Sequence, residues 1–325
     1  MEVEKLMSQQ LLSQMPTPQH LLELFVQDCG DRQLTEETIR RYRSSIKQYF
    51  AYLEQQGISV LKVDKHVLHD YIRERRTRGL DQKTLENDLS AVAGLYEFLT
   101  FEDYMERNPV PGVRKRYLRR YKQESDADAE SPRRLLTIEE MSLLINSVMD
   151  TRDKAIMTLE AKTGARRGEV IAMDVDDINW AEQSITLKRN RFKKRSGRTL
   201  FFDDETARVL KRWVSQREKL SPQTRALFIG EHGGRLKRNG IYSMVRKYAQ
   251  RVGLDDPKSQ RPEDHFSPHC FRHWFTTHLR RAGMDREFIK ALRGDRRREA
   301  IDIYDRIDRE ELRRAYLAFI PQLGL

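Results

Sequence analysis

The stretch 269–304 reads HCFRHWFTTHLRRAG (269–283), MDREFIKALRGD (284–295) and RRREAIDIY (296–304). His269 and Arg272 stand three residues apart, a spacing that puts both on one face of a helix. Arginines crowd the interval that follows, and Tyr304 closes it. One reaction uses that inventory: a tyrosine hydroxyl attacks a phosphodiester while cations hold the phosphate oxygens. Tyrosine ionises near pH 10, at about the value that leaves it neutral at pH 7. Neighbouring cations favour the phenolate and make it a usable nucleophile. The chain has 12 tyrosines, and Tyr316 competes with Tyr304 for this part. A second pair, His278 and Arg281, repeats the His269–Arg272 spacing nine residues further on. At about 100° per residue it falls half a turn out of phase, so only one pair faces a given site.

Two stretches upstream supply matching parts. TGARRGEV (163–170) ends one helix at Gly164 and places Arg166 near the start of the next, where exposed backbone N–H groups suit an anion. A guanidinium grips two phosphate oxygens at once and keeps its charge. Arg167 is the rival at the adjacent position. SITLKRN (184–190) and RTLFF (198–202) have strand composition and flank the cationic tip RFKKRSG (191–197). This predicts a hairpin with a basic turn. Lys193 and Lys194 on that tip are candidate proton donors to a leaving 5′ oxygen.

A chain of 325 residues holds about two domains. Apolar residues make up 38% and charged residues 34%, enough for cores beneath a heavily charged surface. Lys and Arg number 61 against 50 Asp and Glu, a net charge of +11 that biases the protein toward polyanions. Two cysteines, Cys29 and Cys270, imply neither a disulfide framework nor a four-thiolate zinc site. No run reaches the roughly 18 apolar residues of a membrane helix. The start MEVEKLMSQQLL carries charges where a signal peptide has an apolar core. The expected location is the cytoplasm, with no membrane partner.

Along the chain, apolar residues recur at helical spacing in four early segments. These are 20–30, 35–57, 64–79 and a stretch after Asp81 whose inward side is Leu85, Leu89, Val92, Leu95, Phe98 and Leu99. Residues 17–111 therefore read as a basic four-helix unit, and 1–16 as a polar N-terminal segment. Residues 112–135 lack a periodic apolar face and pass from a basic to an acidic block, which reads as an interdomain linker. Thr137 and Glu140 form a capping-box pattern that opens the second domain, 136–325. There, helical segments surround the hairpin, so the fold class is mainly α with a small β-sheet.

In order and spacing, TGARRGEV, the lysine-bearing hairpin, SPHCFRHWFTTHLRRAG (267–283) and Gly294-Asp295 followed by Tyr304 resemble the tyrosine recombinases, the phage-integrase and Xer-type family. The resemblance implies a helical, SAM-like core-binding domain and an α+β catalytic domain. It implies that Arg166 and Arg272 hold the nonbridging oxygens of a scissile phosphate. Lys193, five before Arg198, fits the hairpin lysine, with Lys194 the close second. His269 would donate a hydrogen bond or manage the nucleophile's proton. Tyr304 would form a 3′-phosphotyrosine and release a 5′-hydroxyl, and Glu169 would hold neighbouring structure. The implied partners are double-stranded DNA at specific sites and a homotetramer on paired sites, with strand exchange through a Holliday junction. No cofactor and no metal is implied. The purpose is integration or excision of a mobile element, or resolution of replicon dimers.

Asp295 departs from the pattern, because the family usually carries His or Trp after this glycine. A carboxylate cannot donate to phosphate. Asp295 is thus expected either to turn toward nearby arginines, such as Arg296 or Arg297, or to tune activity. The segment after Tyr304 has an apolar face that packs either on its own domain or on a neighbouring subunit. The LRGD, IDIY and IPQLG wording is similar to archaeal integrases. Two other readings fit the same residues: a type IB topoisomerase-like DNA-relaxing enzyme, and a DNA-binding homologue without catalysis.

Overall fold

The structure, a computed structural model, describes residues 16–118, 134–188, 197–259, 261–295 and 307–325. The chain divides into two units between Ala127 and Asp128. Thr17 opens the first unit: its side chain accepts from His20 N, and Pro18 occupies the first position of helix α1 (Pro18–Asp31), where a missing N–H costs nothing. Helix α2 (Glu36–Gln55) is capped by Thr35, and helices α3 (Lys65–Thr77) and α4 (Gln82–Phe101) by Asp64 and Asp81. Leu21, Phe25, Ile46, Tyr49, Leu68, Ile72, Leu89, Val92 and Leu95 fill the core. Several of its polar groups are paired. The Tyr96 hydroxyl donates to Val60 O at 3.0 Å, and Asp88 accepts from Ser45 at 2.8 Å and from Arg75 at 2.9 Å.

A fifth helix, α5 (Val110–Tyr117), takes in the first residues of the run read as a linker. Val110, Val113 and Leu118 are buried in the first unit's core. Arg76 and Gln82 donate to the carbonyls of Tyr117 and Leu118 at 2.8 and 3.1 Å. The apolar stripe begins at Val110, before the run read as a linker, and Arg114, Lys115 and Arg116 crowd the positions between its members. That dilutes the helical period in the sequence.

In the second unit the expected capping box forms, with Thr137 and Glu140 closing the start of helix α6 (Ile138–Asn146). Helix α7 (Thr151–Thr163) is the centre: Asp153 and every residue from Ala155 to Thr163 are buried. A helix buried on all sides needs no amphipathic stripe, and the sequence shows none. Helix α8 (Arg167–Ala172) follows Gly164 closely. Three antiparallel strands come next in sequence order, β1 (Ile178–Asn179), β2 (Ser184–Leu187) and β3 (Arg198–Phe201), with Ile185 opposite Leu200 and Ser184 opposite Phe201. Strands β2 and β3 are the expected hairpin; β1 is too short to carry a period.

Helices α9 (Asp204–Lys219), α10 (Arg238–Arg251), α11 (Pro268–Arg281), α12 (Arg286–Arg293) and α13 (Arg309–Phe319) complete the unit. α9 and α11 pack against α7. The mainly α fold with a small sheet is as expected. Among the described residues, no helix is long and apolar enough to cross a membrane.

The end of the chain packs on its own unit. Tyr316, Ile320 and Leu323 join its core. Lys162, wholly buried, donates to Asp203, Glu205 and Pro321 O, each at 2.6 Å. Glu205 also accepts from the backbone N–H groups of Leu323, Gly324 and Leu325, at 2.8, 2.6 and 3.1 Å. A buried cation thus shares two carboxylates, and one of these holds the closing backbone.

Candidate active site

Arg166 and Arg272 meet at the C-terminal end of helix α12. Gly164 makes this possible by ending α7 in the left-handed region, at φ +60°, where glycine meets no steric penalty. A Cβ there would lie 2.5 Å from Phe275 Cδ1 of α11. The two helices therefore approach closely, and Arg272, one turn before Phe275, reaches back so that its Nη1 donates to Gly164 O at 2.8 Å. Its Nη2 donates to Arg293 O at 2.9 Å. Arg166 donates to the same Arg293 carbonyl at 3.2 Å. The last carbonyls of a helix carry the negative end of its dipole, so the end of α12 is a fixed acceptor for guanidinium groups.

Glu169 orders this cluster from the other side. Its carboxylate accepts from Arg166 N at 2.8 Å, from Arg166 Nη1 at 3.1 Å, and from both Nη atoms of Arg198 at 2.9 Å. Arg198 Nε donates to Leu292 O at 2.9 Å. Burial works against the charge on Glu169, but the Arg198 hydrogen bonds and charge, with Arg166, outweigh it and hold the carboxyl at about 2. Burial, and then the charges of Arg166 and Arg293, pull the Arg272 guanidinium down to about 9, with Asp295 opposing. It remains charged at neutral pH.

Asp295 turns toward arginines, as one of the two expectations held; its described partners are Arg166 and Arg272 from elsewhere in the unit and Arg293 two residues before it. Its Oδ1 accepts from Arg272 Nη2 at 3.0 Å and from Arg166 Nη2 at 3.4 Å, and Oδ2 lies 3.1 Å from Arg293 Nε. Gly294 ends α12 at φ +61°, and a Cβ there would fall 2.7 Å from Arg198 Nη1. Arg296 and Arg297 lie outside the described residues.

The other sequence candidates divide clearly. His269 is exposed in the first turn of α11, one turn before Arg272. Arg167 lies over the Tyr242 ring at 5.9 Å, so of the two adjacent arginines it is Arg166 that joins Arg272. His278 is buried and donates from Nε2 to Leu136 O at 3.0 Å, which makes it a core residue. Tyr316 is also buried and donates to Lys162 O at 3.0 Å; burial pushes its hydroxyl well above the usual tyrosine range. It cannot serve as an exposed nucleophile.

Lys193, Lys194 and Tyr304 lie outside the described residues. The described ends of their segments are informative. The hairpin returns into β3 at Arg198, and the segment toward Tyr304 leaves from Asp295; both residues belong to the cluster. Arg198 is a further member of the cluster, and its signal in the sequence is its place at the foot of the basic hairpin.

The profile of the phage integrase family matches residues 134–311, and that of the phage integrase N-terminal SAM-like domain matches 22–103. Tyrosine recombinase XerC of Actinobacillus pleuropneumoniae is 26% identical over 293 residues, covering 90% of each chain. Tyrosine recombinase XerD of Staphylococcus epidermidis is 25% identical over 299 residues, covering 90% of this chain and 95% of its own. Among solved structures, the XerH site-specific recombinase bound to a palindromic difH substrate aligns with a TM-score of 0.65 at 18% identity, over 95% of this chain and 83% of that one. The Tn1549 transposon integrase with circular-intermediate DNA aligns with a TM-score of 0.63 at 17% identity, over 90% and 97%. These last two show the shared fold. With a family profile spanning more than half its length, the chain belongs to the phage integrase family and is a tyrosine site-specific recombinase.

Proposed function

We propose that the protein cuts and rejoins duplex DNA at specific sites through a covalent 3′-phosphotyrosine on Tyr304. One observation carries the reading: Arg166 and Arg272, distant in sequence, converge on Arg293 O and Asp295, where the segments bearing Lys193 and Tyr304 also begin or end. Two guanidiniums fixed in advance stabilise the charge that builds on a five-coordinate phosphorus. Arg166 and Arg272 take the nonbridging oxygens. Tyr304 Oη forms the new bond to phosphorus, and the bond to the 5′ oxygen breaks. Lys193, with Lys194 as the close alternative, gives that oxygen its proton, and His269 handles the proton of the tyrosine. A 5′-hydroxyl from a second strand then attacks the phosphotyrosine and restores the tyrosine. Each step exchanges one phosphoester for another, so the cycle needs no nucleotide.

In this reading the first unit, 17–111 extended through α5, grips DNA as a core-binding domain. Four protomers on two sites exchange strands through a Holliday junction in the cytoplasm, for mobile-element integration or excision or for dimer resolution.

The test uses nicked suicide duplexes carrying a site selected by binding from a randomised pool. The wild-type chain should form a denaturant-resistant adduct on DNA, and Tyr304→Phe should form none. An adduct with Tyr304→Phe removes Tyr304 from its role. Strand exchange between paired sites then separates a recombinase from a topoisomerase-like enzyme, which would only relax supercoils.

A further inference from the structure

The seat formed by Arg166 and Arg272 is already occupied by an anion of the protein itself. Asp295 Oδ1 is shared between the two guanidiniums, at 3.0 Å from Arg272 Nη2 and 3.4 Å from Arg166 Nη2. A carboxylate and a phosphate present the same feature to a guanidinium, two anionic oxygens that accept charge-assisted hydrogen bonds. The seat also calls for an anion. The Arg272 side chain is only 5% exposed, with Arg166, Arg198 and Arg293 as cationic neighbours. A buried cation among like charges is costly unless a counter-charge is near. Asp295 provides that charge when no DNA is present.

The backbone around Asp295 holds this occupant in place and lets it leave. Asp295 N donates to Lys290 O at 3.1 Å, and Gly294 N to Ala291 O at 3.0 Å, so the turn after α12 is fixed. The Asp295 side chain is 29% exposed. A carboxylate that is partly exposed has solvent beside it into which it can turn. Two anions bridging the same pair of guanidiniums repel each other, so carboxylate and phosphate exclude one another.

Resting on the function proposed above, we propose that Asp295 is a self-occupant of the phosphate seat, a competing anion that a phosphodiester must displace before Arg166 and Arg272 engage it. The residue thereby sets a threshold. A phosphate brushing the surface does not displace an anion held by three arginines, whereas one pressed into the seat by a duplex gripped along its length does. Asp295 makes the guanidinium pair selective for DNA that is already held.

The experiment uses the full-length chain and inorganic phosphate as the probe, titrated at low ionic strength by phosphorus NMR. The relevant site is the one lost in Arg272→Ala. In Asp295→Asn, which keeps the side-chain shape and removes the charge, phosphate should bind this site about tenfold more tightly than in wild type, equivalent to about 1.4 kcal/mol. Asp295→Ala should show the same gain. Glu287→Gln, which removes an equal charge from a half-exposed position on α12, should leave the affinity unchanged. Equal or weaker binding in both Asp295 variants overturns the proposal, since it makes Asp295 an organiser of the arginines rather than a competitor. The same gain in Glu287→Gln also overturns it, because the effect is then net charge alone. If no variant shows a phosphate site that depends on Arg272, the failure lies with the reading of Arg272 as a phosphate ligand, and the self-occupant falls with it.

Discussion

Replacing Lys162 by Met should destabilise the second unit by about 3–5 kcal/mol at neutral pH, the cost of leaving buried charge without its partner. The Lys162 side chain is 0% exposed and its partners Asp203 and Glu205 are 6% and 7% exposed. Met fills much of the same volume, so packing loss is small and the two orphaned carboxylates dominate. They retain some support, Asp203 from Thr206 and Gln322 and Glu205 from three backbone N–H groups. That places the effect toward the lower end of the range. In the wild type, burial works against both charges, yet Lys162 outweighs it and both carboxyls sit below their ordinary values. A depressed carboxyl adds stability above its unfolded value, near 4, and loses it as pH falls through the folded value. In Lys162→Met the part of that depression due to Lys162 is gone, so the gap between variant and wild type should be fully present at pH 7.5 and narrow as pH falls below the ordinary carboxyl value near 4.

Urea unfolding followed by tryptophan fluorescence reads this directly in the whole chain. All three tryptophans, Trp180, Trp213 and Trp274, lie in the second unit. A deficit below about 1 kcal/mol, the scale of an exposed ion pair, or one that does not change with pH, would refute the buried-triad reasoning.

Two further outcomes follow from the cluster around Arg272. Gly164→Ala puts a Cβ into the left-handed region and against Phe275; it should cost on the order of 1–3 kcal/mol in urea unfolding. It should also slow covalent complex formation, because the Gly164 carbonyl that accepts from Arg272 must shift. Glu169→Gln should lose on the order of 3 kcal/mol at pH 7, since the carboxyl is held at about 2 against an unfolded value near 4.3. That difference is fully present above the unfolded value and should shrink as pH falls toward 2, checked by urea midpoints across that interval.

Local pattern carried much of the fold into view. The capping box at Thr137 and Glu140 needs only a four-residue window, and the β2–β3 hairpin needs only strand composition on both sides of a basic turn. The placement of Arg166 after a helix-ending glycine, and of His269 one turn before Arg272, is likewise local. The features that escaped depend on distant partners. Lys162 reads as a charged residue near a helix end, and nothing nearby in sequence announces Asp203, Glu205 and Pro321 as its partners. Asp295 pairs with Arg166 and Arg272, whereas proximity in sequence pointed to Arg296 and Arg297. Helix α5 escaped for another reason: its short apolar stripe straddles the point where charge density changes, and the charge was the louder signal. The roles of Lys193, Lys194 and Tyr304 rest on sequence and family membership, with only the described ends of their segments placed.

Beside the carboxylates of Glu169 and Asp295, main-chain atoms aim the arginines: Gly164 O and Arg293 O for Arg272, Arg293 O for Arg166, and Leu292 O for Arg198. A point mutation exchanges a side chain but leaves the carbonyl where it was. The aim of the guanidiniums is therefore insulated from substitution at Leu292 and Arg293, provided the helix and its terminal glycine persist. Substitution there acts instead through the side chains, Leu292 through the core it joins and Arg293 through its contact with Asp295. The two glycines leave no such latitude, because a Cβ at either one would strike a neighbour.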